Sequence, residues 1–272
     1  MYNLLISLGI GLALFAVTGL IGGNWLAGII PATIGLGVAY FLLARRSGQQ
    51  LQAIMERAML EFNALENMQP PRTQREATRM QKLQRDKLAS GRAIIEEGFK
   101  LTRWQFLIDS QIHAQLGSLE YMQQNYEKAV VHLEKAWSRH WQAQAMLACI
   151  DFREKRYDEA LARMEKADGP GGSDALFWAI YIWIAYKAGK RDRALAVANQ
   201  GVKKHEDSKS LKSMATAIAN KKPLRPDAFA PGWYQFFPED MPQAKEMAKN
   251  AKKHGNAPNV RRGGYSFPHP KR

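Results

Sequence analysis

Residues 1–44 of the chain contain no aspartate, glutamate, lysine or arginine. Two apolar stretches lie within them: LLISLGIGLALFAVTGLIGG at 4–23 and LAGIIPATIGLGVAYFLLA at 26–44. At a helical rise of about 1.5 Å per residue, each stretch covers roughly 30 Å, the thickness of the hydrocarbon core of a bilayer. The sequence therefore predicts a transmembrane helical hairpin over residues 1–46.

The residues that flank the two spans indicate how the hairpin is oriented. Arg45 and Arg46 follow the second span directly, and the positive-inside rule places both ends of the hairpin and everything downstream in the cytoplasm. Tyr2 at the start of the hairpin is paired with Tyr40 and Phe41 at its end, on the same membrane face, as in an aromatic belt. Because no other targeting signal is visible, we expect an integral protein of a bacterial inner membrane with a cytoplasmic soluble part.

Two other interpretations of the uncharged region were weighed. A cleaved signal peptide is one, although MYNLL lacks the positive side chain of such signals, and cleavage of the first span stays open. A buried core hairpin is the other, but two full apolar spans without a charge are too long for it. Small residues four apart would let the two helices approach closely, although glycine is common in membrane helices anyway: Gly19 and Gly23, Gly28 and Ala32, Thr33 and Gly37.

Residues 47–109 are polar and predict a helical stalk. Apolar residues recur at spacings of four and three, which suits a helix leaning on its neighbours or a short coiled coil: Leu51, Met55, Ala58, Phe62 and Leu65. The QPP at 69–71 predicts a helix end, and the capping pattern TQRE at 73–76 predicts a new start.

An internal repeat follows the stalk. NYEKAVVHLEKAW at 125–137 is echoed by RYDEALARMEKAD at 156–168 and by KRDRALAVANQGV at 190–202, with Ala129, Ala160 and Ala194 in register. Each unit reads as a helix, a short turn and a second helix, with small residues where two helices cross. Residues 110–220 are therefore predicted to form a solenoid of about three repeats, with a capping helix at 208–219.

This stretch resembles the tetratricopeptide repeat (TPR) family over residues 110–207, about a third of the chain. The resemblance implies an all-α fold in which the first helices of the units line a concave groove that binds a peptide. Carried over to this sequence, it implies a partner-binding groove at Tyr121, Met122, Phe152, Arg153, Trp183, Tyr186 and Lys187. Aromatic side chains beside cations favour peptide recognition, although some of these rings could instead pack against the stalk.

Residues 221–272 divide into an aromatic segment and a basic tail. RPDAFAPGWYQFFPEDMP at 225–242 predicts a segment that folds back over the solenoid, with a docking motif as the alternative. The stretch at 241–272 carries eight lysines or arginines against one glutamate, so much of the net charge of +14 lies there. We expect QAKEMAKNAKKHG at 243–255 to form a short basic helix and the tail at 256–272 to be disordered, and the cations to contact anionic lipid or to be merely solvated. The residues for lipid contact are Lys245, Lys249, Lys252, Lys253, Arg261 and Arg262.

Catalytic and ligand motifs are not predicted. GPGG at 169–172 lacks the Gly-Lys-Ser/Thr of a phosphate-binding loop. His132 and His140 lack the further ligands of a metal site, and surface histidines are expected. No nucleophile motif or nucleic-acid recognition motif is visible. We therefore expect no enzyme, metal or cofactor.

The sequence thus predicts an all-α protein: two transmembrane helices, a helical stalk and a TPR-like α-solenoid. The expected function is that of a membrane-anchored TPR-type scaffold or adaptor that binds a protein partner at the cytoplasmic face. The alternative is a structural subunit of a larger membrane complex, packing through its transmembrane hairpin.

Overall fold

A computed structural model describes residues 1–22, 25–66 and 74–241. Those residues form ten α-helices and no β-strand, which confirms the all-α class over the described ranges. The helices are α1 Tyr2–Gly22, α2 Trp25–Glu66, α3 Gln74–Glu97, α4 Ile108–Met122, α5 Tyr126–Leu133, α6 Trp141–Arg153, α7 Tyr157–Gly171, α8 Ala175–Lys187, α9 Arg191–Lys204 and α10 Lys209–Ala219. Short 3-10 helices lie at Gly98–Leu101, Pro226–Phe229, Gly232–Gln235 and Pro238–Asp240. The chain divides into two compact units, Met1–Gly171 and Gly172–Arg272.

Two helices of the first unit are long and apolar enough to cross a membrane: α1, and the stretch Gly28–Ala64 within α2. α1 and α2 pack against each other, and glycines lie in their contact. A Cβ built on Gly28 would lie 2.8 Å from the Thr18 hydroxyl, and one on Gly19 would collide with the Trp25 ring. A Cβ on Gly37 would meet nothing, and Gly23 lies outside the described residues. Of the predicted small residues, Gly19 and Gly28 therefore lie where α1 and α2 approach closely, and Gly37 does not.

α2 continues without a break from the apolar stretch into the polar part of the chain. Its 42 residues make a rod of roughly 63 Å. The predicted apolar positions lie in one core: Leu51 and Ala58 are buried, with Met55 and Phe62 packed beside them. The other side of that core consists of Ile95 of α3 and residues of α4: Ile108, Ile112 and Leu116. The stalk therefore shares its core with the first repeat, as expected of a helix that leans on its neighbours.

Some predicted features of the stalk lie outside the described residues. These are the helix end at 69–71, the capping residue Thr73 and the side chain of Leu65. The described part of α2 reaches Glu66, and α3 is described from Gln74.

Three helical hairpins occur where the repeat predicts them: α4–α5, α6–α7 and α8–α9, each with a three-residue turn. Each turn has one residue with positive φ, namely Gln124 (61°), Lys155 (64°) and Gly189 (77°). The N–H of the next residue donates to the carbonyl five positions earlier, at 2.9, 2.8 and 3.0 Å. This is the Schellman helix end, which satisfies carbonyls that the helix leaves unpaired. The predicted repeat is therefore visible in the local backbone of all three hairpins.

The packing of each hairpin also follows the predicted register. Ala129, Ala160 and Ala194 are fully buried at the same place of each second helix. In the first hairpin, a Cβ built on Gly117 would lie 2.7 Å from side-chain atoms of Leu133, so α4 and α5 approach closely there. Small residues thus allow the crossings, because a larger side chain would force the helices apart.

The second unit adds α10 and the aromatic segment to the hairpin α8–α9. α10 begins after Ser208, whose hydroxyl accepts from the Leu211 N–H at 3.3 Å, and Arg191 of α9 donates to the Ile218 carbonyl at the other end. Arginine at the last carbonyls of a helix complements its dipole. The aromatic segment folds onto α8, where Trp233 and Phe237 stack at 4.4 Å. The segment thus packs on α8 of the last hairpin, and the fold-back predicted for it over a solenoid is seen in this contact alone.

Candidate partner-binding surface

Four of the predicted groove residues lie in the first unit, at the ends of two helices that begin consecutive hairpins. Tyr121 and Met122 close α4, and Phe152 and Arg153 close α6. They occupy equivalent places because each pair lies directly before a Schellman turn of the same conformation. The repeat therefore brings one aromatic position into the last turn of each helix.

Arg153 joins the two helix ends. Its guanidinium donates to the Tyr121 hydroxyl at 2.6 Å and to the carbonyl of Cys149 at 3.3 Å. The same group lies over the rings of Tyr121 and Tyr126, 5.5 and 5.1 Å from their centroids. Tyr121 is fully buried, so in this structure its ring supports Arg153 and does not face solvent.

Met122 and Phe152 are the apolar residues directly next to Tyr121 and Arg153 in the sequence. Met122 is 40% exposed. Phe152 is half-buried and packs against Tyr157 with ring centroids 5.7 Å apart. The accessible residues of the predicted surface in this unit are therefore Met122, Phe152 and Arg153, and the Arg153 guanidinium is positioned by Tyr121.

The other three predicted residues, Trp183, Tyr186 and Lys187, lie in the second unit on α8. The Trp183 ring meets the rings of Trp233 and Phe237 at 5.5 and 6.3 Å. The Lys187 ammonium lies 4.6 Å from the centre of the Trp183 ring, as in a cation–π contact. Tyr186 donates a long hydrogen bond of 3.4 Å to the Lys222 carbonyl. The chain's own aromatic segment thus contacts the Trp183 ring, which the resemblance assigns to a partner.

Two buried carboxylates stabilise the helix ends in the first unit, and the sequence reading missed both. Glu120 pairs with Arg92 of α3 and accepts from the Asn125 side chain at 2.9 Å. Asp151 pairs with Arg156 and with Arg163, whose Nε lies 2.7 Å from Oδ2. Buried charges need such partners. The available signal was the alignment itself, because Glu120 and Asp151 occupy the same place relative to the aligned alanine of each unit.

His132 and His140, the histidines expected at the surface, are both partly exposed, and each also has a partner within the protein. The Nδ1 atoms of His132 and His113 are 2.9 Å apart, so one ring donates to the other. Burial lowers the pKa of both rings below its ordinary value, and the charges of His113 and Arg92 lower the pKa of His132 further. His140 caps α6 by accepting from the Ala143 N–H at 3.2 Å, and burial lowers its pKa as well.

Two further predictions concern lipid and metal. The residues assigned to lipid contact lie outside the described part of the chain: Lys245, Lys249, Lys252, Lys253, Arg261 and Arg262. Within residues 1–22, 25–66 and 74–241, no group of three metal-ligating side chains comes together.

Searches against protein-family models, curated proteins and solved structures find no match to this chain. The interpretation of the surface therefore depends on the geometry and on the sequence pattern.

Proposed function

We propose that the protein is a membrane-anchored, TPR-type scaffold or adaptor that binds a protein partner at the cytoplasmic face of a bacterial inner membrane. The observation that carries the proposal is the continuity of α2, which joins an apolar stretch to the core of the first repeat in one helix. A partner held by the repeats would be kept within a fixed distance of the bilayer, because a rigid helix replaces a flexible linker.

The TPR-type part of the proposal is supported by the three hairpins and their matching turns. Stacking of the hairpins into a solenoid with a concave face is part of the proposal. Solenoids of this kind recognise partners with the first helix of each repeat, which here would be α4, α6 and α8.

Within the first unit, the proposed recognition surface is formed by Met122, Phe152 and Arg153. Methionine adapts to varied apolar partners because its side chain is unbranched and polarisable. Arg153 is already ordered by Tyr121, so little side-chain entropy would be lost when it meets a carboxylate or carbonyl of the partner. The surface suits a peptide with one apolar residue next to an acidic or carbonyl-rich position.

The test places a photocrosslinking amino acid at Met122 in the full chain and irradiates native membranes. The matched control is the same amino acid at Val131, which is exposed, apolar and on the second helix of the same hairpin. We expect a discrete protein adduct at position 122, identified by mass spectrometry, that is absent at position 131 and lost when Phe152→Ala and Arg153→Ala are added. Adducts that are identical at both positions, or absent from both, would contradict recognition by this surface.

One observation favours the alternative, a structural subunit that packs through its hairpin. Gly9 of α1 and Gly37 of α2 are exposed, and a Cβ built on either meets nothing within 4 Å. Small residues on an open face of a membrane helix allow another helix to approach. Gly37→Leu should abolish copurification of a membrane partner if this alternative holds, whereas Gly28→Ala would disturb the hairpin itself.

A further inference from the structure

The loop between the 3-10 helix Gly98–Leu101 and α4, residues 102–107, lies against the start of α1. The Tyr2 N–H donates to the Arg103 carbonyl at 2.8 Å, and the Asn3 N–H donates to the Trp104 carbonyl at 3.2 Å. The first N–H groups of a helix have no partner within the helix. The 102–107 loop therefore supplies acceptors for the first turn of a helix that begins far earlier in the chain.

Side chains hold the same two segments together. The rings of Tyr2 and Trp104 meet edge to face with centroids 5.4 Å apart. Asn3 is buried and donates from Nδ2 to the Ser47 hydroxyl of α2 at 2.9 Å. Because Ser47 comes directly after Arg45 and Arg46, the loop lies at the level where the apolar stretch of α2 ends.

The outer side of this loop is aromatic and basic. Trp104 is 40% exposed, Phe106 is 71% exposed, and the neighbouring Tyr2 is exposed as well, and exposed apolar groups that lie together mark contact sites. Arg103 in the loop and Lys100 in the preceding 3-10 helix are exposed. Arg45 and Arg46 are exposed on α2, directly after the uncharged stretch that ends at residue 44. Tryptophan, other aromatic rings and cations are the side chains that occur at the headgroup level of a bilayer.

We propose that the 102–107 loop is a third membrane contact, in which Trp104 and Phe106 enter the headgroup region of the leaflet next to Tyr2. This inference rests on the proposed insertion of α1 and α2. The loop is hydrogen-bonded to the start of α1 at Tyr2 and Asn3. Insertion of α1 therefore brings the loop to the bilayer surface without further movement. Arg45, Arg46 and Arg103 lie near the anionic headgroups.

The consequence for the soluble part is geometric. The loop leads directly into α4, and Ile108 and Ile112 of that helix are buried in the core shared with α2. The first repeat is therefore fixed to the bilayer at two places, the rod of α2 and the 102–107 loop. The rod alone can tilt in the bilayer together with the repeat, whereas a second contact sets the orientation of both.

The experiment uses the full chain with Cys149→Ala, reconstituted in vesicles of phosphatidylcholine and phosphatidylglycerol. An NBD fluorophore is attached to a single new cysteine at Phe106→Cys, with Val131→Cys as the exposed control and Leu12→Cys as the control for the hairpin. Leu12 and Val131 are both exposed and apolar, and Leu12 lies in the middle of α1. Quenching is measured with lipids that carry the spin label at the headgroup or deep in the acyl chain.

We expect a blue-shifted emission at position 106 that is quenched by the headgroup label more than by the deep label, and a water-like, weakly quenched emission at position 131. Position 12 should be quenched by the deep label. If position 12 is quenched and position 106 behaves like position 131, the inference is wrong and the hairpin stands. If position 12 is also water-like, membrane insertion fails with it. No protein partner is present in the vesicles, so a loop that docks on a partner would give the water-like result.

Discussion

The turns after α4 and α6 have the same backbone as the turn after α8, but different chemistry stabilises them. Three positions before the capping residue, the first unit has a buried carboxylate in both hairpins, Glu120 and Asp151, and the second unit has Ala185. At the positive-φ position the first unit has Gln124 and Lys155, and the second has Gly189. The same Schellman geometry therefore occurs with a side chain at the positive-φ position and a buried carboxylate nearby in one unit, and with glycine and alanine at these positions in the other.

The difference shows what the carboxylates add beyond the turn itself. Glu120 reaches Arg92 of α3, and Asp151 reaches Arg163 of α7, so each acid ties a helix end to another helix. The turn after α8 forms without such a carboxylate. The acids thus connect elements, and in the case of Glu120 they connect the first repeat to the helices that join it to α2.

The largest effect is expected from Arg92→Ala, compared with Arg156→Ala. Arg92→Ala leaves the buried Glu120 with only the Asn125 amide as a partner and should lower the free energy of unfolding by about 3 kcal/mol. In Arg156→Ala, Asp151 keeps Arg163 as its partner, so the free energy of unfolding should fall by about 1 kcal/mol. Thermal unfolding of the full chain in detergent, followed by far-UV circular dichroism, would measure both. Equal losses would mean that the number of arginine partners does not set the stability of these acids.

A smaller effect is expected from exchanging the residues at the positive-φ positions. A Cβ at Gly189 meets nothing, so Gly189→Ala tests the backbone alone and should cost about 1 kcal/mol. Lys155→Gly should stabilise the second hairpin by about 0.5 kcal/mol, because relief of strain exceeds the added freedom of the unfolded chain. The same unfolding measurement applies, and a stable Gly189→Ala variant would contradict the strain assigned to this conformation.

The smallest effect is expected from pH, and it should arise in the first hairpin, where His113 and His132 meet. Their pKa values are lower in the folded state than in the unfolded chain, so below about pH 6.5 the unfolded chain binds more protons. The stability is therefore fully present above that pH and falls as pH decreases through the lowered pKa values. His113 is buried, whereas His132 is partly exposed and can turn toward water, which limits the loss. The charged groups that face the pair are Asp109, Lys135, Arg92 and Glu120.

Unfolding between about pH 7.5 and about pH 5.5 would measure this loss. His132→Gln should make the curve shallower, and the remaining slope should come partly from His140, which caps α6. A slope that is unchanged by His132→Gln would show that the pair does not contribute to it.

Much of the architecture could be predicted from local patterns. The absence of charge before Arg45 indicates the hairpin, the spacing of Leu51, Met55, Ala58 and Phe62 indicates a buried face on α2, and the register of the alanines indicates the three hairpins. These features could be read because each is a pattern of residue types along the sequence and needs no knowledge of which segments meet.

The parts that were missed are contacts between distant segments. Tyr2 at the start of the first unit contacts Trp104, which comes much later in the sequence. Arg92 of α3 pairs with Glu120 of α4. Periodicity gives the face of a helix but not which partner covers it. The candidate surface shows the same limit, since Tyr121 has an aromatic place in the pattern but is buried beneath Arg153.

The central claim is that α1 and α2 cross a bilayer and hold the repeats on its cytoplasmic side. The most direct test labels single cysteines, Gly22→Cys at the end of α1 and Ser138→Cys beyond α5, with a membrane-impermeant maleimide on bacterial cells whose inner membrane is exposed and intact. Cys149 is fully buried, and the unchanged chain is the control for its labelling. The account predicts labelling at position 22 from outside and at position 138 only after the membrane is permeabilised. Labelling at position 138 in intact cells, or labelling at both positions that does not depend on permeabilisation, would contradict the claim that α1 and α2 cross the bilayer in this orientation.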